Sequence, residues 1–236
     1  MKAFLAAALL CSALHAGAQP LIEPHHRLAP DATVAGKNVA LTLDACGGGF
    51  DADLIALLVA QRVPATIFVT RKWLDRNPAG AAELLVHDDL FELEDHGGAH
   101  VPAALGRRVY GIGGSPDVAH LQAEVAQGAE AITRLSGRVP RYYRGATAMY
   151  DSAAIKTIQA MGYAIAGFSV NADAGATLSR SGVVARLRSV RDGDVVIAHM
   201  NKPAGDTAEG FAIALPELLA RGFRFVKLSD ARLQPI

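Results

Sequence analysis

The chain has 236 residues, 51% of them hydrophobic and 19% charged, which is enough apolar material to bury one sizeable core and excludes a disordered or fibrous chain. Its 23 basic and 23 acidic residues cancel, so no surface is marked for a polyanion and nucleic acid is excluded as a partner. No apolar run is long enough to span a bilayer, and the one at the start is too short.

That first run reads as a secretory signal peptide over residues 1–18. Lys2 supplies the positive charge, Phe4 to Leu14 the apolar stretch, and Ala16-Gly17-Ala18 a small-residue cleavage site. A periplasmic or secreted location follows. Cleavage removes Cys11 and leaves Cys46 alone, so the mature chain carries no internal disulfide and relies on its core. Residues 19–36 are rich in Pro, His and small side chains without periodicity and read as an extended leader; His25 and His26 within it are left out of the site.

From Lys37 strands and helices alternate to the end. Val39 to Leu43 is an apolar strand that ends in Asp44 and turns at Gly47-Gly48-Gly49, and Phe50, Leu54, Leu57 and Leu58 follow at helical spacing. Ala65 to Val69 is a second strand, so the two form a βαβ unit with parallel strands. Trp73 to Val86 reads as one helix, Leu90 to Leu93 as a strand leading into Asp95 and His96, and Arg107 to Gly114 as a loop. Ser115 offers an N-cap with Pro116 at the first helical position, ahead of an apolar face of Val118, Leu121, Val125, Ile132 and Leu135 that stops at Gly137. Tyr142-Tyr143 leads to Arg144. Ile155, Ile158 and Met161 stripe a helix, Tyr163 to Val170 is a strand ending at Asn171 and Asp173, Val183 to Val190 is a helix, and Val195 to Ala198 runs into His199. Phe211 to Leu219 and Phe223 to Leu228 supply a last helix and strand. With no repeat and no linker, residues 37–236 read as a single barrel-like α/β domain.

The chemistry lies where the strands end. Asp44, His96 and His100, Arg144, Asn171 and Asp173, and His199 each follow an apolar segment, and parallel strands bring them to one face. The spacing of four between His96 and His100 puts both imidazoles on one side of a helical turn, close enough to chelate a divalent ion. Gly97 stands where a metalloprotease helix would carry its glutamate, which separates the pair from that motif. Asp44 is the obvious carboxylate to add. A metal with an open position acidifies water and polarises a carbonyl, a carboxylate can take the proton, and a histidine opposite can return one to a leaving amine. Arg144 is placed to keep a carboxylate ionised, and Asp173 to orient His199. Cys46 reads as a buried apolar thiol, with a zinc-binding thiolate as the alternative. Gly47 to Gly49 lacks the Lys and Ser/Thr of a phosphate loop.

In this order, Thr42-Leu43-Asp44-Ala45, His96 to His100, Arg144-Gly145-Ala146, Asn171-Ala172-Asp173 and Val196 to His199 resemble the five motifs of the NodB-type polysaccharide deacetylases, carbohydrate esterase family four. Asp44-Ala45-Cys46-Gly47-Gly48 looks like a divergent bacterial branch. The resemblance implies a distorted (β/α)7 barrel and removal of acetyl groups from an N-acetylated, or O-acetylated, polysaccharide such as peptidoglycan, with a divalent metal, commonly zinc. It also implies Asp44 as base, Arg144 as its tether, His199 as acid supported by Asp173 or Asn171, and His96 and His100 as metal ligands, with Tyr150, Asn171 and Asn201 as candidate substrate contacts. The family's second consecutive Asp, a metal ligand, is here Ala45, so Asp44 itself, Asp51 or water completes the shell. Two other readings stay open: a carbohydrate-binding protein on a decayed scaffold, prompted by Ala45, and a metal-independent hydrolase of cyclic amides, which the retention of both histidines opposes. Trp73, Tyr110, Tyr142, Tyr143 and Tyr150 are the aromatic candidates for stacking on sugar.

Overall fold

The computed structural model describes residues 20–30 and 36–236, so the signal peptide expected at 1–18 lies outside the described residues. The first elements are β1 (His26–Leu28), β2 (Lys37–Ala45), α1 (Ala52–Ala60), β3 (Ala65–Val69), α2 (Arg71–Arg76), α3 (Pro78–Val86) and β4 (Phe91–Asp95). A small hairpin, β5 (Arg108–Val109) and β6 (Ile112–Gly113), precedes the long α4 (Val118–Ser136). Then come β7 (Tyr142–Tyr143), α5 (Ser152–Ala160), β8 (Ala164–Ile165), β9 (Val170–Asn171), α6 (Arg180–Arg188), β10 (Val195–His199), α7 (Thr207–Ala220), β11 (Phe223–Val226) and β12 (Leu233–Pro235).

An eight-stranded sheet in the order β8-β7-β4-β3-β2-β10-β9, with β11 on the first half of β2, holds the domain together. All its pairings are parallel, and it curls into a half-barrel inside one α/β domain. β2 is central because seven of its nine residues are wholly enclosed between β3, β10 and the helices, which is what a continuous apolar strand of a parallel sheet requires. Val39, Leu41, Leu43 and Ala45 point to a core shared with Leu54, Leu58, Trp73 and Phe211, while Ala40 packs on the other side with Phe68 and Ile197. Parallel register puts Asp44 level with His199 and Phe68, so the strand ends share one face.

β8 and β9 are the sheet's two edges, and the residues between them cross the open seam of the half-barrel. The strand expected over Tyr163 to Val170 is therefore two short strands with an irregular bridge, since a segment leaving one edge to reach the other cannot stay in either ladder. Residues 20–30, the described part of the stretch read as a leader, cover that seam. β1 pairs antiparallel with β12, the His26 amide donates to the Phe168 carbonyl, and Gly167 N–H donates to His26 Nδ1 at 2.9 Å.

Other local readings change for simple reasons. The single helix expected over Trp73 to Val86 is two, because Asn77 leaves helical geometry ahead of Pro78, which opens α3. The cap of α4 is Asp117, whose carboxylate accepts from the His120 amide at 2.9 Å; Ser115 is buried two residues upstream. The buried stripe of α4 is Leu121, Glu124, Val125, Gly128, Ala129 and Ile132, and Val118 and Leu135 are exposed.

Candidate active site

The Asp44 side is built from β2 and the segment after β7. Arg144 is fully buried, and its guanidinium spends its donors inside the molecule: Nη1 on Asp44 Oδ1 at 2.9 Å and on Thr42 Oγ1 at 2.8 Å, Nε on the Ala166 carbonyl at 3.1 Å. The cation also lies 4.2 Å from the centre of the Phe68 ring. Arg144 thus ties the strand end, the seam and the carboxylate together. Burial pushes the Asp44 carboxyl up, but the Arg144 charge beside it, with His96 and His199 behind, holds it below the usual carboxylate range.

The His199 side comes from β10 and the loop after β9. Asp173 accepts from His199 Nδ1 at 2.9 Å and from the His199 amide at 2.7 Å, and Thr207 donates to it at 3.1 Å. Asn171 instead accepts from the Ala174 amide, so Asp173 is the partner of His199. A carboxylate on Nδ1 fixes that nitrogen as the donor and turns Nε2 to the cavity. Burial disfavours the imidazolium, yet the Asp173 hydrogen bond together with Cys46 and Asp44 pushes His199 up to about 10.

Between the two sides lie Cys46, His96 and His100, whose donor atoms all fall within 4.8 Å of one another. The two histidines meet without a helix. Gly97 at φ +91° and His100 at φ +67° bend the chain through a loop, and the ring centres come to 4.9 Å. A Cβ on Gly97 would sit 2.5 Å from Glu124 Oε1, so the turn needs glycine. Glu124, on α4, accepts from the amides of Ala99 and Val101 at 2.9 Å and holds the loop from behind. His96 Nδ1 donates to the Arg144 carbonyl at 2.6 Å, leaving Nε2 for the cavity, where Cys46 Sγ lies at 3.5 Å and Asp44 Oδ2 at 3.9 Å. Burial opposes charge on His96, but Asp44 and Cys46 push it up to about 9. Burial would raise the Cys46 thiol too, and the surrounding His96, His100 and His199 bring it well below the usual thiol value. The reading of Cys46 as an apolar buried thiol is therefore corrected: it is half-buried and touches imidazoles. Asp51, a suggested extra ligand, caps α1 through the Leu54 amide.

Asp44, Cys46, His96, His100 and His199 line a cavity of about 450 Å³ together with Glu23, Tyr110, Thr147, Ala148, Phe168, Asn171, Ala174, Asn201 and Lys202. His100, Tyr110, Thr147, Ala148 and Ala174 are non-glycine residues with positive φ, and all five face this cavity. Such conformations cost energy and gather where a site is being shaped. Asn201 fits close over the glycine turn, since a Cβ on Gly48 would lie 2.1 Å from its carbonyl oxygen. Tyr150 is corrected as a substrate contact: it is fully buried and its hydroxyl accepts the Gly145 amide at 2.7 Å. Trp73 and Tyr143 are buried as well, whereas Tyr110, on the β5–β6 hairpin, is 78% exposed beside the cavity. The sequence reading passed over Glu23 and Glu124. A glutamate on the apolar stripe of α4 was the available signal for the second.

The donor set fits a divalent metal. Two imidazoles and a sulfur offer donor atoms within 4.8 Å of one another, and a tetrahedral zinc with Zn–S about 2.3 Å and Zn–N about 2.0–2.1 Å separates S from N by roughly the spacing seen between Cys46 and His96. The His96 contact with the Arg144 carbonyl is the kind of outer hydrogen bond that orients a ligating histidine.

A parallel α/β half-barrel with ionisable groups gathered at its strand ends is thus the class that fold and site define. Residues 31–166, more than half of the chain, match the family model described as polysaccharide deacetylase, and the chain belongs to that family. Among solved structures, the T48 deacetylase determined with substrate aligns with a TM-score of 0.68 at 20% identity, covering 88% of this chain and 98% of that one. A family 4 acetyl xylan esterase from Clostridium thermocellum in complex with cobalt gives 0.68 at 21% identity, covering 82% and 89%. A CE4 family pseudoenzyme from Bacillus anthracis gives 0.68 at 17% identity, covering 83% and 65%. At these identities the likeness is one of fold. Comparison with curated proteins returned no match. Among the described residues no helix is long and apolar enough to cross a membrane.

Proposed function

We propose that the protein is a metal-dependent hydrolase that removes acetyl groups from an N-acetylated polysaccharide such as peptidoglycan, working in the periplasm or outside the cell after loss of residues 1–18. The observation that carries this reading is a carboxylate held ionised by Arg144 and an imidazolium held by Asp173 on two sides of one cavity, with metal-type donors between them. His96 and His100 would hold the metal. When bound, it supplies a Lewis acid that polarises the acetyl carbonyl and acidifies water.

The chain's own residues do the rest. Asp44, ionised through Arg144, takes a proton from the attacking water as its oxygen bonds to the acetyl carbon. His199 gives the proton on Nε2 to the sugar nitrogen as the carbon–nitrogen bond breaks, and Asp173 steadies the imidazolium on Nδ1. Acetate and a free amine leave. Tyr110, exposed at the rim, offers an aromatic face to a neighbouring sugar ring, and Asn171 and Asn201 offer amides to its hydroxyls.

A second reading has an observation of its own. Ala45 stands in the core where the family carries a metal-binding carboxylate, and a pseudoenzyme shares the fold. The test is acetate release from a panel of N-acetylated and O-acetylated glycans, before and after chelation and zinc return. Activity abolished by chelation and restored by zinc supports the hydrolase. No acetate from any glycan, with glycan binding intact, makes the protein a binding module.

A further inference from the structure

We propose that the sulfur of Cys46 is the third protein ligand of the metal, a thiolate in place of the absent carboxylate, and that it makes the site prefer a zinc-type ion over magnesium, calcium or manganese. The inference rests on the deacetylase reading for the presence of a metal at His96 and His100.

Strand geometry explains how a cysteine reaches the position. Successive side chains of β2 alternate between faces, so Ala45 points into the apolar core while Asp44 and Cys46 both line the cavity. A donor lost at position 45 is therefore recovered one residue later, where the chain leaves the strand. The turn that carries the sulfur is pinned independently of any ion. Thr70 Oγ1 donates to the Cys46 carbonyl at 2.8 Å, Trp73 Nε1 to the Gly49 carbonyl at 2.7 Å, and Asn201 closes over Gly48. Asp44 is less free to serve, because one carboxylate oxygen is held by Arg144 and the other is 3.9 Å from His96 Nε2, against 3.5 Å for the sulfur.

Ligand softness then sets the selectivity. Thiolate and imidazole suit zinc, whereas carboxylate and water suit magnesium, calcium and manganese. Binding displaces the proton of the thiol and any proton on His96 Nε2 to solvent, so it consumes no oxidant or other reactant.

The test is metal binding by the whole protein after chelation, by equilibrium dialysis against zinc and manganese and by titration with cobalt(II) followed in the near ultraviolet. The wild type should take up one zinc in preference to manganese, and its cobalt form should show a sulfur-to-cobalt charge-transfer band. C46S should lose that band and bind zinc more weakly by more than the roughly 10–100-fold that loss of a supporting partner costs. C46D should keep a metal, lose the band and move toward manganese, which guards against a serine variant that simply fails to fold. A folded C46S that binds zinc as tightly as the wild type, or a wild-type cobalt complex without the band, overturns the thiolate ligand. If acetate release persists in that case, the deacetylase reading stands without it; a wild type with neither metal nor acetate release overturns both.

Discussion

Asp44 and Asp95 each lie at the carboxyl end of a parallel strand and are each buried, one register step apart, yet they are driven in opposite directions. Burial pushes both up. Asp95 stays well above the usual carboxylate value because burial dominates: the Gly97 amide and the charge of His96 lower it only in part, Glu124 and Glu94 raise it, and among the described residues no ion pair reaches it. Asp44 falls below that value because a buried guanidinium lies 2.9 Å away. The position at the strand end is thus not what favours ionisation; the partner is. One carboxyl is driven toward its neutral form and braces a turn, and the other is driven toward the anion and faces the cavity.

The strongest way to break this contrast is to remove the cation. R144M leaves a buried carboxylate without its partner, which should cost about 3–5 kcal/mol in denaturant unfolding. With Asp44 then protonated at neutral pH, turnover should fall roughly 100- to 10,000-fold, the range associated with a general base. The double variant R144M/D44N should recover much of the stability and none of the activity. Recovery of neither would mean that Arg144 matters mainly as the tie between Thr42, Asp44 and the seam at Ala166.

Glu124 extends the comparison to a third buried acid, one that touches no reacting group. Its carboxylate holds the amides of Ala99 and Val101, so it positions His100 through the backbone. E124A should weaken zinc binding about 10–100-fold, as loss of an outer partner does, with a stability loss of about 1–3 kcal/mol for the amides left unpaired. Dialysis against zinc reads the first effect, and unchanged affinity alongside lower stability would make Glu124 purely structural. Smaller still is D95N. An amide is close in shape and charge to a protonated acid, the form that burial favours at Asp95, so stability should change by less than about 1 kcal/mol and turnover by only a few-fold. A loss as large as that of D44N would mean that Asp95 is ionised and part of the chemistry.

These residues also show what could be read beforehand. β2, β3 and β10 were legible because buried parallel strands are continuous apolar runs, and the polar residue that ends each run marks the common face. That reasoning located Asp44, His96, Arg144 and His199. It could not decide between Asn171 and Asp173, because the choice depends on a loop of residues with positive φ at Ala174, Gly175 and Ala176. It gave His96 and His100 a helix, since spacing of four is a helical signal, whereas Gly97 and His100 in left-handed geometry achieve the same approach through a turn. Cys46 looked apolar because a thiol carries no formal charge in a sequence; three histidines from two segments remote from it in the chain change its character only after folding. Glu124 was hidden for a related reason, as its partners are backbone amides, which have no signature in sequence. The seam explains the last gap. Residues 20–30 lack periodicity because they lie across an edge, not within a layer.

Glu94, the neighbour of Asp95 on β4, offers the mildest test of the contrast, and its sign can be worked out. Its carboxylate accepts the amides of Arg141 at 2.8 Å and Tyr142 at 2.7 Å, but burial outweighs them and pushes it from 4.5 up to about 7. The folded protein therefore keeps this proton between about pH 4.5 and 7, where the unfolded chain has released it. Unfolding sheds a proton in that window, so this group's contribution to stability is full below about 4.5, declines as the pH rises and levels off above about 7. The total decline is at most about 3–4 kcal/mol, since each tenfold change in proton affinity corresponds to about 1.4 kcal/mol. E94Q should remove that slope, so the stability difference between E94Q and wild type should move in favour of the glutamine as the pH is raised from about 4.5 to 7. A difference that stays flat across that range would mean that the two amides hold Glu94 ionised, as Arg144 holds Asp44, and that burial on β4 is less severe than the enclosed position of the side chain implies.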